Sequence, residues 1–339
     1  MSTIKDVAAL AGVSFTTVSH VLNNTRPVSA DARKRVLAAV EQIGYLPSAV
    51  ARSLRKSETK IVGLLVPNVQ NPFFAELVCG VEACCRLAGF SVFLCNSDND
   101  PRRQQQYMRT LLEKRVDGLL LSSAGDDEAL ARIFEKMASV PSVTVDRLVP
   151  GARADRVSVD NTQGAQRVVQ HLLSLGHRRI ACISGPAEFA VARERIEGWR
   201  RALQAAGVTP DEALVLESDF SSPGGYEAAR GLLRKRTAGK PGVTAIFASN
   251  DMMAVGVLRA AAELGLKVPQ QLSVVGFDDI ELSRYVFPAL TTVGTSIRQL
   301  GVEAGRVLIA RIENPAAPLK DVVLTPRLIR RESAAAPAS

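Results

Sequence analysis

The chain has 339 residues, a formal net charge of +8 at pH 7 and a hydrophobic fraction of 47%. This length favours two or three domains with sizeable buried cores over a single domain. No apolar run approaches the roughly 20 residues that cross a bilayer, and no basic segment followed by an apolar stretch stands at the N-terminus. We therefore expect no membrane association and a cytoplasmic location.

Basic residues are concentrated in the N-terminal part of the chain. Residues 1–60 contain nine Lys and Arg against four Asp and Glu, a net charge of +5, which is more than half of the net charge of the whole chain. Such a clustered excess favours a polyanionic partner. A merely solvated basic surface has the same charge pattern, so the predicted structure of this segment must decide between the two.

The first 45 residues show the pattern of three short amphipathic helices. Gly12 ends the first helix, Ser14 is a suitable N-cap for the second, Ser29 for the third, and Gly44 follows the third. The apolar residues that share one face are Ile4, Val7, Ala8 and Ala11 in the first helix, Val18, Val21 and Leu22 in the second, and Val36, Val40 and Ile43 in the third. Together with the Gly-Val-Ser turn, this pattern predicts a helix-turn-helix, with a plain three-helix bundle as the alternative.

In a helix-turn-helix, the second helix enters the major groove of DNA. Thr16, His20 and Asn23 follow each other at i, i+4 and i+7, opposite the apolar stripe. Their hydroxyl, imidazole and amide groups form hydrogen bonds with base edges or phosphates, and Phe15 can pack on thymine methyl groups. The DNA-contacting residues that we predict in this head are Thr3, Ser14, Phe15, Thr16, Thr17, His20 and Asn23.

A short basic segment follows the head. Ser48 is a suitable N-cap, and a helix of about nine residues is marginal by itself in water. We hypothesise that this segment becomes helical on DNA and that Leu54 wedges between base steps in the minor groove. Ser48, Ala51, Leu54 and Arg55 are its predicted DNA contacts, and an inert linker is the alternative.

After residue 60, apolar runs alternate with helical patterns. The nine runs are Ile61–Val66, Ser91–Cys95, Gly118–Leu121, Ser142–Val145, Val157–Val159, Ile180–Ile183, Leu214–Leu216, Ala245–Ala248 and Leu272–Gly276. This alternation predicts an α/β fold with parallel sheets covered on both faces, and nine strands favour two doubly wound lobes.

Polar residues stand directly after most of these strands. They are Asn68, Asn96, Ser122, Asp146, Arg147, Asp160, Ser184, Asp219, Asn250, Asp251, Asp278 and Asp279. Open α/β sheets bind ligands at the carboxyl ends of their strands. Acids, amides and an arginine suit a polyhydroxylated ligand, whose apolar face Phe73 and Phe74 can cover. Capping of loops is the alternative for any one of these residues.

Enzyme and metal motifs are absent. The sequence has no dinucleotide-binding glycine loop, no phosphate-binding loop, no serine elbow and no zinc-protease motif. The five cysteines include no Cys-x-x-Cys pair, and neither His171 nor His177 has a partner at metal-ligand spacing. We therefore predict no enzyme activity, no metal and no cofactor.

Many segments resemble the LacI/GalR family of bacterial regulators, in order and through nearly the whole chain. They include Ile4–Ala8, Ala11–Ser14, Thr17–Asn23, Pro47–Leu54, Asn71–Phe74, Lys114–Leu119, Gly176–His177, Asn250–Asp251, Gly276–Asp278 and Pro288–Thr292. The resemblance implies a homodimer or tetramer whose heads read a palindromic double-stranded operator. It also implies a periplasmic-binding-protein-like pair of lobes whose small ligand controls DNA binding.

The domain boundaries that follow from this resemblance are a head at 1–47, a hinge at 48–60, two lobes at 61–331 and a disordered tail at 332–339. The first lobe would comprise residues 61–160 and 292–320, and the second lobe residues 161–291 and 321–331. More than one chain segment would therefore cross between the lobes.

Within this family, the sequence most resembles the ribose-responsive and purine-responsive branches. The resemblance implies that Phe73, Phe74 and Phe220 sandwich a sugar such as ribose, an inducer. The residues implied to bind its hydroxyls are Asp146, Arg147, Arg195, Asn250 and Asp278. Thr295 departs from the ribose pattern, which has a glutamine in this segment. A purine corepressor is the alternative, although Arg147 and Phe189 differ from that branch. A sugar-modifying enzyme and a transport-type binding protein are the remaining alternatives.

Overall fold

The protein is described by a computed structural model that covers residues 2–45, 58–234 and 242–338. It forms two compact units, Met1–Thr59 and Lys60–Ser339. The first unit contains α1 (Ile4–Ala11), α2 (Phe15–Asn23) and α3 (Ala30–Gln42). Val7, Val18 and Val36 are fully buried where the three helices meet. These are the three helices that the apolar stripes predict.

The first lobe of the second unit is built on a parallel six-stranded sheet. Its strands are β1 (Ile61–Val66), β2 (Ser91–Asn96), β3 (Gly118–Leu121), β4 (Ser142–Val145), β5 (Asp155–Val159) and β11 (Asp321–Leu324), in the order β11-β5-β4-β3-β1-β2. Its helices are α4 (Pro72–Leu87), α5 (Pro101–Glu113), α6 (Asp127–Lys136) and α11 (Ile297–Glu313).

Helices cover both faces of this sheet, as the unbroken apolar strands predict. Leu64 of β1 packs into a core with α4 and α11, and the next residue, Leu65, packs into a separate core with α5 and α6. Helices α4 and α11 approach so closely that a Cβ at Gly80 would lie 2.2 Å from the Arg298 carbonyl oxygen. Glycine is therefore required at this crossing.

The second lobe is built on a parallel four-stranded sheet. Its strands are β6 (Ile180–Ser184), β7 (Val215–Glu217), β8 (Ala245–Ala248) and β9 (Ser273–Val275), in the order β7-β6-β8-β9. Its helices are α7 (Asn161–Ser174), α8 (Ala190–Ala205), α9 (Ser222–Arg234) and α10 (Asp251–Glu263). Fully buried Trp199 packs in the core with α7 and α8, while α9 and α10 cover the opposite face.

The fold class is confirmed, and all nine predicted strands are present. Three short strands were not predicted: β10 (Thr292–Gly294), β11 and β12 (Arg327–Ile329). β10 pairs antiparallel with β12. β11 and β12 are short and have exposed or half-buried side chains, and β10 is buried but has only three residues, so none of them forms an apolar run that can be recognised in the sequence.

Two of the predicted lobe boundaries differ from the structure. Val293 of β10 packs in the second-lobe core with α7, although residues 292–320 were assigned to the first lobe. β11 pairs with β5 in the first-lobe sheet, although residues 321–331 were assigned to the second. The chain therefore crosses between the lobes after β10 and again after β11, a few residues later than predicted in each case.

The prediction of a disordered tail at 332–339 was wrong for the residues that the structure describes. Ser333 is fully buried, its Oγ donates to the Val274 carbonyl, and it accepts from Thr291 N at 2.8 Å. His177 Nε2 lies 2.8 Å from the Ala335 carbonyl oxygen. The tail is held largely through its backbone and one hydroxyl, which an alanine-rich composition does not reveal.

Candidate functional site

The exposed surface of α2 presents the polar residues that the sequence analysis singled out. Thr16 and Asn23 are exposed, Thr17 and His20 are half-buried, and 53% of Phe15 is exposed. These side chains also have local partners. His20 Nδ1 lies 2.8 Å from Thr25 Oγ1, and Asn23 donates to the Ser19 carbonyl at 2.9 Å.

Two of the predicted DNA contacts are helix caps in the structure. Ser14 Oγ accepts from Thr17 N at 3.0 Å and begins α2. Thr3 forms a capping box with Asp6 at the start of α1. A capping role fixes the position of a side chain at a helix N-terminus, where phosphates also bind. Ser48, Ala51, Leu54 and Arg55 lie outside the described residues.

A cavity, the inner chamber, lies between the two lobes at the carboxyl ends of their strands. It is lined by Asn71, Phe73, Phe74, Asp146, Arg147, Val191, Arg195, Phe220, Asn250 and Asp278. All eight residues of the predicted effector set are therefore brought together. Asn71 and Val191 also line the chamber and were not predicted. The available signal for Asn71 was the Asn-Pro start of α4, since Asn71 caps that helix.

Three of the lining residues have a left-handed backbone. The φ angles are +60° at Asp146, +64° at Phe220 and +113° at Asp278. This conformation is uncommon for residues other than glycine, and it clusters at functional sites. The Phe220 ring also depends on Gly185, where an added Cβ would lie 2.1 Å from the ring.

Arg195 is the centre of a buried polar network. Its Nη2 lies 3.2 Å from Asp278 Oδ1, its Nε donates to Asn161 Oδ1 at 2.9 Å, and its Nη1 donates to the Ser249 carbonyl. The guanidinium carbon lies 3.7 Å from the centre of the Phe277 ring. These contacts fix the guanidinium in one orientation at the wall of the chamber.

Burial shifts the protonation of the acidic groups in the chamber. Loss of solvation raises the pKa of Asp278 to about 7; Arg195 opposes this shift and Asp146 adds to it. The pKa of Asp146 is also raised by burial, against the effect of Arg195 and Arg147. Two carboxyl groups therefore stand beside two guanidinium groups, an arrangement that can both accept hydrogen bonds from hydroxyls and donate to their oxygens.

The guanidinium group of Arg147 lies among aromatic rings of both lobes. Its carbon is 4.3 Å from the centre of Phe189, 5.1 Å from Phe220 and 5.5 Å from Phe74. Its Nη1 donates to Asn99 Oδ1 at 3.2 Å. Burial lowers the pKa of Arg147 to about 10, so the group stays charged at neutral pH.

The predicted aromatic sandwich differs in detail from the observed arrangement. The rings of Phe73 and Phe74 are nearly perpendicular, at 86°, so they do not offer two parallel faces. Phe189, which was not in the predicted set, lies 6.4 Å from Phe220. Phe189 comes from the loop before α8, and the sequence gives no periodic signal for a contact of this kind.

A larger cavity, the outer chamber, adjoins the inner chamber. The two share Asn71, Phe74, Arg147 and Phe220. The other residues of the outer chamber are Asn68, Gln70, Asn99, Asp219, Ser221, Ser222, Pro223 and Met252. On the other side, a third cavity reaches Thr295 and shares Phe73, Asp146, Arg195 and Asp278 with the inner chamber.

Other strand-end residues from the sequence analysis have structural roles. Asn96 accepts from Val69 N, and Asp160 caps α7. Asp251 accepts from Thr292 Oγ1 and Ile280 N, and Asp279 pairs with Arg331. The capping alternative therefore holds for this part of the predicted set.

The described part of the chain offers neither a clustered metal site nor a membrane-spanning helix. Residues 2–45, 58–234 and 242–338 contain no group of three or more His, Cys, Asp or Glu placed to hold a metal ion. Among the helices of those ranges, none has the length and apolar character needed to cross a membrane.

Two family models match the chain. Residues 3–48 match "Bacterial regulatory proteins, lacI family", and residues 169–334 match "Periplasmic binding protein-like domain". The ribose operon repressor of Escherichia coli is 41% identical over 334 residues, covering 98% of this chain and 100% of the relative. The HTH-type transcriptional repressor PurR of Photobacterium profundum is 39% identical over 333 residues, covering 98% of each protein.

Among solved structures, the lac repressor dimer bound to operator and the anti-inducer ONPF is similar over nearly the whole chain. The TM-score is 0.87 and the sequence identity 29%, with 99% of each chain covered. The similarity thus extends through both units of the present chain.

Proposed function

The chain belongs to the LacI family of bacterial regulatory proteins, and we propose that it represses transcription from a palindromic operator under the control of a small ligand bound between its lobes. The observation that carries the proposal is one cavity, at the carboxyl ends of both parallel sheets, lined by two carboxyl groups, two guanidinium groups and three phenylalanines. The chain is a regulator and not an enzyme, since its full-length relatives are repressors.

DNA recognition is assigned to the first unit. Thr16, His20 and Asn23 of α2 would contact base edges, while Thr3 and Ser14, at helix N-termini, would hold phosphates. Residues 1–47 would form the head, and residues 48–60 a hinge. In that hinge, Ser48, Ala51, Leu54 and Arg55 would contact the minor groove.

The proposed effector is a ribose-like sugar that acts as an inducer. Asp146, Arg147, Arg195, Asn250 and Asp278 supply acceptors and donors for vicinal hydroxyls, and the phenylalanines supply apolar surface for the ring. The ribose operon repressor, at 41% identity, supports this class of ligand. Thr295 lines the cavity on the other side of the inner chamber from the outer chamber. The ribose pattern has a longer amide side chain in this segment.

A purine corepressor is the second candidate. The 39% identity to a relative named PurR is of the same size as the identity to the ribose operon repressor. The aromatic rings of Phe74 and Phe220 also suit a planar base. The two candidates predict opposite responses, because an inducer weakens operator binding and a corepressor strengthens it.

We further propose that the chain acts in the cytoplasm as a homodimer or tetramer. A ligand that binds one arrangement of the lobes more tightly than the other shifts their equilibrium. In a dimer, that shift would change whether two heads reach both halves of an operator at the same time.

The test uses the purified full-length chain. Selection from a random pool of duplex DNA should yield a palindromic site, and D-ribose should then weaken binding to that site. Strengthening by hypoxanthine or guanine, without an effect of ribose, would favour the purine candidate. Recovery of no preferred site, with or without these ligands, would contradict the proposed function.

A further inference from the structure

The second unit begins at a residue with an unusual backbone. Lys60, the residue before β1, has a φ angle of +55°. Strand residues normally have a negative φ, and the left-handed region is uncommon for residues other than glycine. Such a conformation persists only where the surrounding structure holds it, and it clusters at functional sites. The contacts of Lys60 therefore set the direction in which the chain leaves β1 towards residue 59.

Contacts on three sides hold Lys60 in this conformation. Its backbone N–H donates to Asp117 Oδ2 at 2.7 Å, and its carbonyl accepts from Ser91 N at 2.8 Å. Its ammonium group lies 4.6 Å from the centre of the Phe90 ring, within the range of a cation–π interaction. Asp117 is itself fixed, because its N–H donates to the Ile61 carbonyl at 2.8 Å. This arrangement of Lys60, Phe90 and Asp117, the exit clamp, ties the start of β1 to the starts of β2 and β3.

The hydrogen bond to Asp117 is the contact that fixes the backbone of Lys60. A hydrogen bond from an N–H to a carboxylate is about twice as strong as one between neutral groups. The Lys60 side chain is exposed, so its cation–π contact is weaker and does not act on φ directly. Without an acceptor for its N–H, Lys60 can leave the left-handed region for extended backbone, and the preceding chain then leaves the lobe in another direction.

The two strands that begin at the exit clamp end at the walls of the inner chamber. β1 has six residues, which span about 20 Å, and it leads to Asn71 and Phe74 of the chamber lining. β3 begins directly after Asp117, and beyond its end Ser123 N donates to the Arg147 carbonyl at 2.9 Å. β1 and β3 pair in parallel, and buried cores cover both faces of their sheet. Because such a packed layer compresses little, a displacement of these walls moves the clamp with them.

We propose that Asp117 is a positioning residue that couples ligand binding to DNA binding. Its carboxylate fixes the backbone of Lys60, so that a movement of the first lobe displaces the hinge and is not lost as a rotation of the chain about residue 60. This inference rests on the proposed function, because it takes the inner chamber as the effector site and residues 48–60 as the hinge. Coupling between distant sites is carried by hydrogen bonds and rigid elements of this kind.

The test compares Asp117→Ala with Asp117→Asn in the full-length chain. Fluorescence anisotropy measures affinity for the selected operator without ligand and with saturating D-ribose or hypoxanthine, and the ratio of the two affinities is the response. In the wild type, one of the two ligands should change the affinity about 5- to 150-fold, the usual size of a coupling between sites. The response of Asp117→Ala should be smaller by about threefold or more. Asp117→Asn should respond as the wild type does, because its amide oxygen can still accept from Lys60 N.

Calorimetry of ligand binding without DNA separates positioning from folding. Asp117 precedes β3, at the edge of the sheet opposite the chamber, so Asp117→Ala should bind the ligand as tightly as the wild type. Asp321→Ala is the matched control. Asp321 begins β11 at the same edge of the same sheet, and its carboxylate pairs with Arg156 at 3.6 Å. Its removal should leave the response unchanged.

Three outcomes would overturn the inference and leave the proposed function standing. They are an unchanged response in Asp117→Ala, an equal loss of response in Asp321→Ala, and a loss of ligand affinity in Asp117→Ala that parallels its loss of response. A wild type whose operator binding responds to neither ligand would overturn the proposed effector control, and the inference with it.

Discussion

Arg195 Nη2 lies 3.2 Å from Asp278 Oδ1, and both side chains are more than nine-tenths buried. Arg195 comes from α8, which packs on one face of the second-lobe sheet, and Asp278 follows β9 of that same sheet. The pair therefore connects a helix to the strand ends at the cavity, and loss of either partner would leave the other buried without its counter-charge.

Replacement of Arg195 by glutamine should destabilise the protein and weaken effector binding. We expect the free energy of unfolding to fall by about 3 kcal/mol, the lower end for breaking a buried pair, because Asp278 can protonate. Effector affinity should fall about 10- to 100-fold, as expected when hydrogen bonds to a charged group are lost. Urea unfolding and calorimetry measure the two effects.

The matched control is Arg201→Gln. Arg201 lies on the same helix and pairs with Glu197 at 2.6 Å, but both side chains are substantially exposed. Exposed pairs contribute about 0–1 kcal/mol. Equal effects of the two substitutions on unfolding would contradict the importance that we assign to the buried pair.

Stability should depend on pH through Asp278. Burial raises its pKa to about 7, above the value of about 4 in an unfolded chain, so between these values the folded state binds more protons. The contribution of Asp278 is therefore fully present below about pH 4 and is lost as the pH rises towards 7. Asp146 and Asp251 are shifted in the same direction, whereas the lowered pKa of His177 acts in the opposite direction.

The measurement is the difference between the wild type and Asp278→Asn in urea unfolding at several values from pH 4 to pH 8. Most other groups are common to both proteins and cancel, so the difference reports Asp278 together with its effect on its charged neighbours Asp251 and Arg147. We expect the wild type to lose stability relative to the variant as the pH rises. A constant difference over this interval would show that Asp278 does not titrate there.

The strand-end residues show which part of the candidate site could be predicted from the sequence alone. Asp146 and Asn250 could be predicted because parallel strands bring their carboxyl ends to one edge of a sheet. Asp160 and Asp251 follow strands in the same way, yet their oxygens accept from backbone or hydroxyl groups of the protein itself. The sequence pattern is the same for a helix cap and for a ligand contact, so only the structure separates them.

Contacts between distant segments were the main features that the sequence did not reveal. Phe189 approaches Arg147 from a loop more than 40 positions away, and neither residue belongs to a periodic pattern. Strands such as β1, β3 and β8 were predictable because burial on both faces leaves a continuous apolar run. β11 was not, because its exposed and half-buried residues alternate over only four positions at the edge of the sheet.

Removal of the tail should destabilise the second lobe. A chain that stops after Glu332 loses Ser333, whose carbonyl and Oγ accept from Val274 N and Thr291 N at 2.8 Å each. An unsatisfied buried donor costs about 1–3 kcal/mol, so we expect a loss of about 2–6 kcal/mol in the free energy of unfolding. A chain that stops after Pro337 is the control, and equal stability of the two truncated chains would contradict a structural role for the tail.

Leu54 provides a test of the proposed hinge. If its side chain wedges between base steps, Leu54→Ala should reduce both operator affinity and the bend that the protein induces in DNA. Circular-permutation gel assays measure the bend, and Leu319→Ala, at an exposed position of the second unit, is the control. Unchanged bending and affinity in Leu54→Ala would leave the inert linker as the better description of this segment.

Operator binding should weaken steeply with salt, because lysine and arginine contacts to phosphates release counterions from DNA. Between about 50 and 200 mM salt, six or more phosphate contacts would lower the affinity about 1,000-fold or more.

His20→Ala should act differently from added salt, because a contact to a base carries sequence preference. We expect a loss of about 1–3 kcal/mol in binding free energy on the selected operator and little change on random duplex DNA. Fluorescence anisotropy on both duplexes measures these effects, with Gln299→Ala as the control. Equal losses on the two duplexes would assign His20 to the phosphate backbone rather than to a base, and a flat salt profile would contradict the electrostatic role of the basic head.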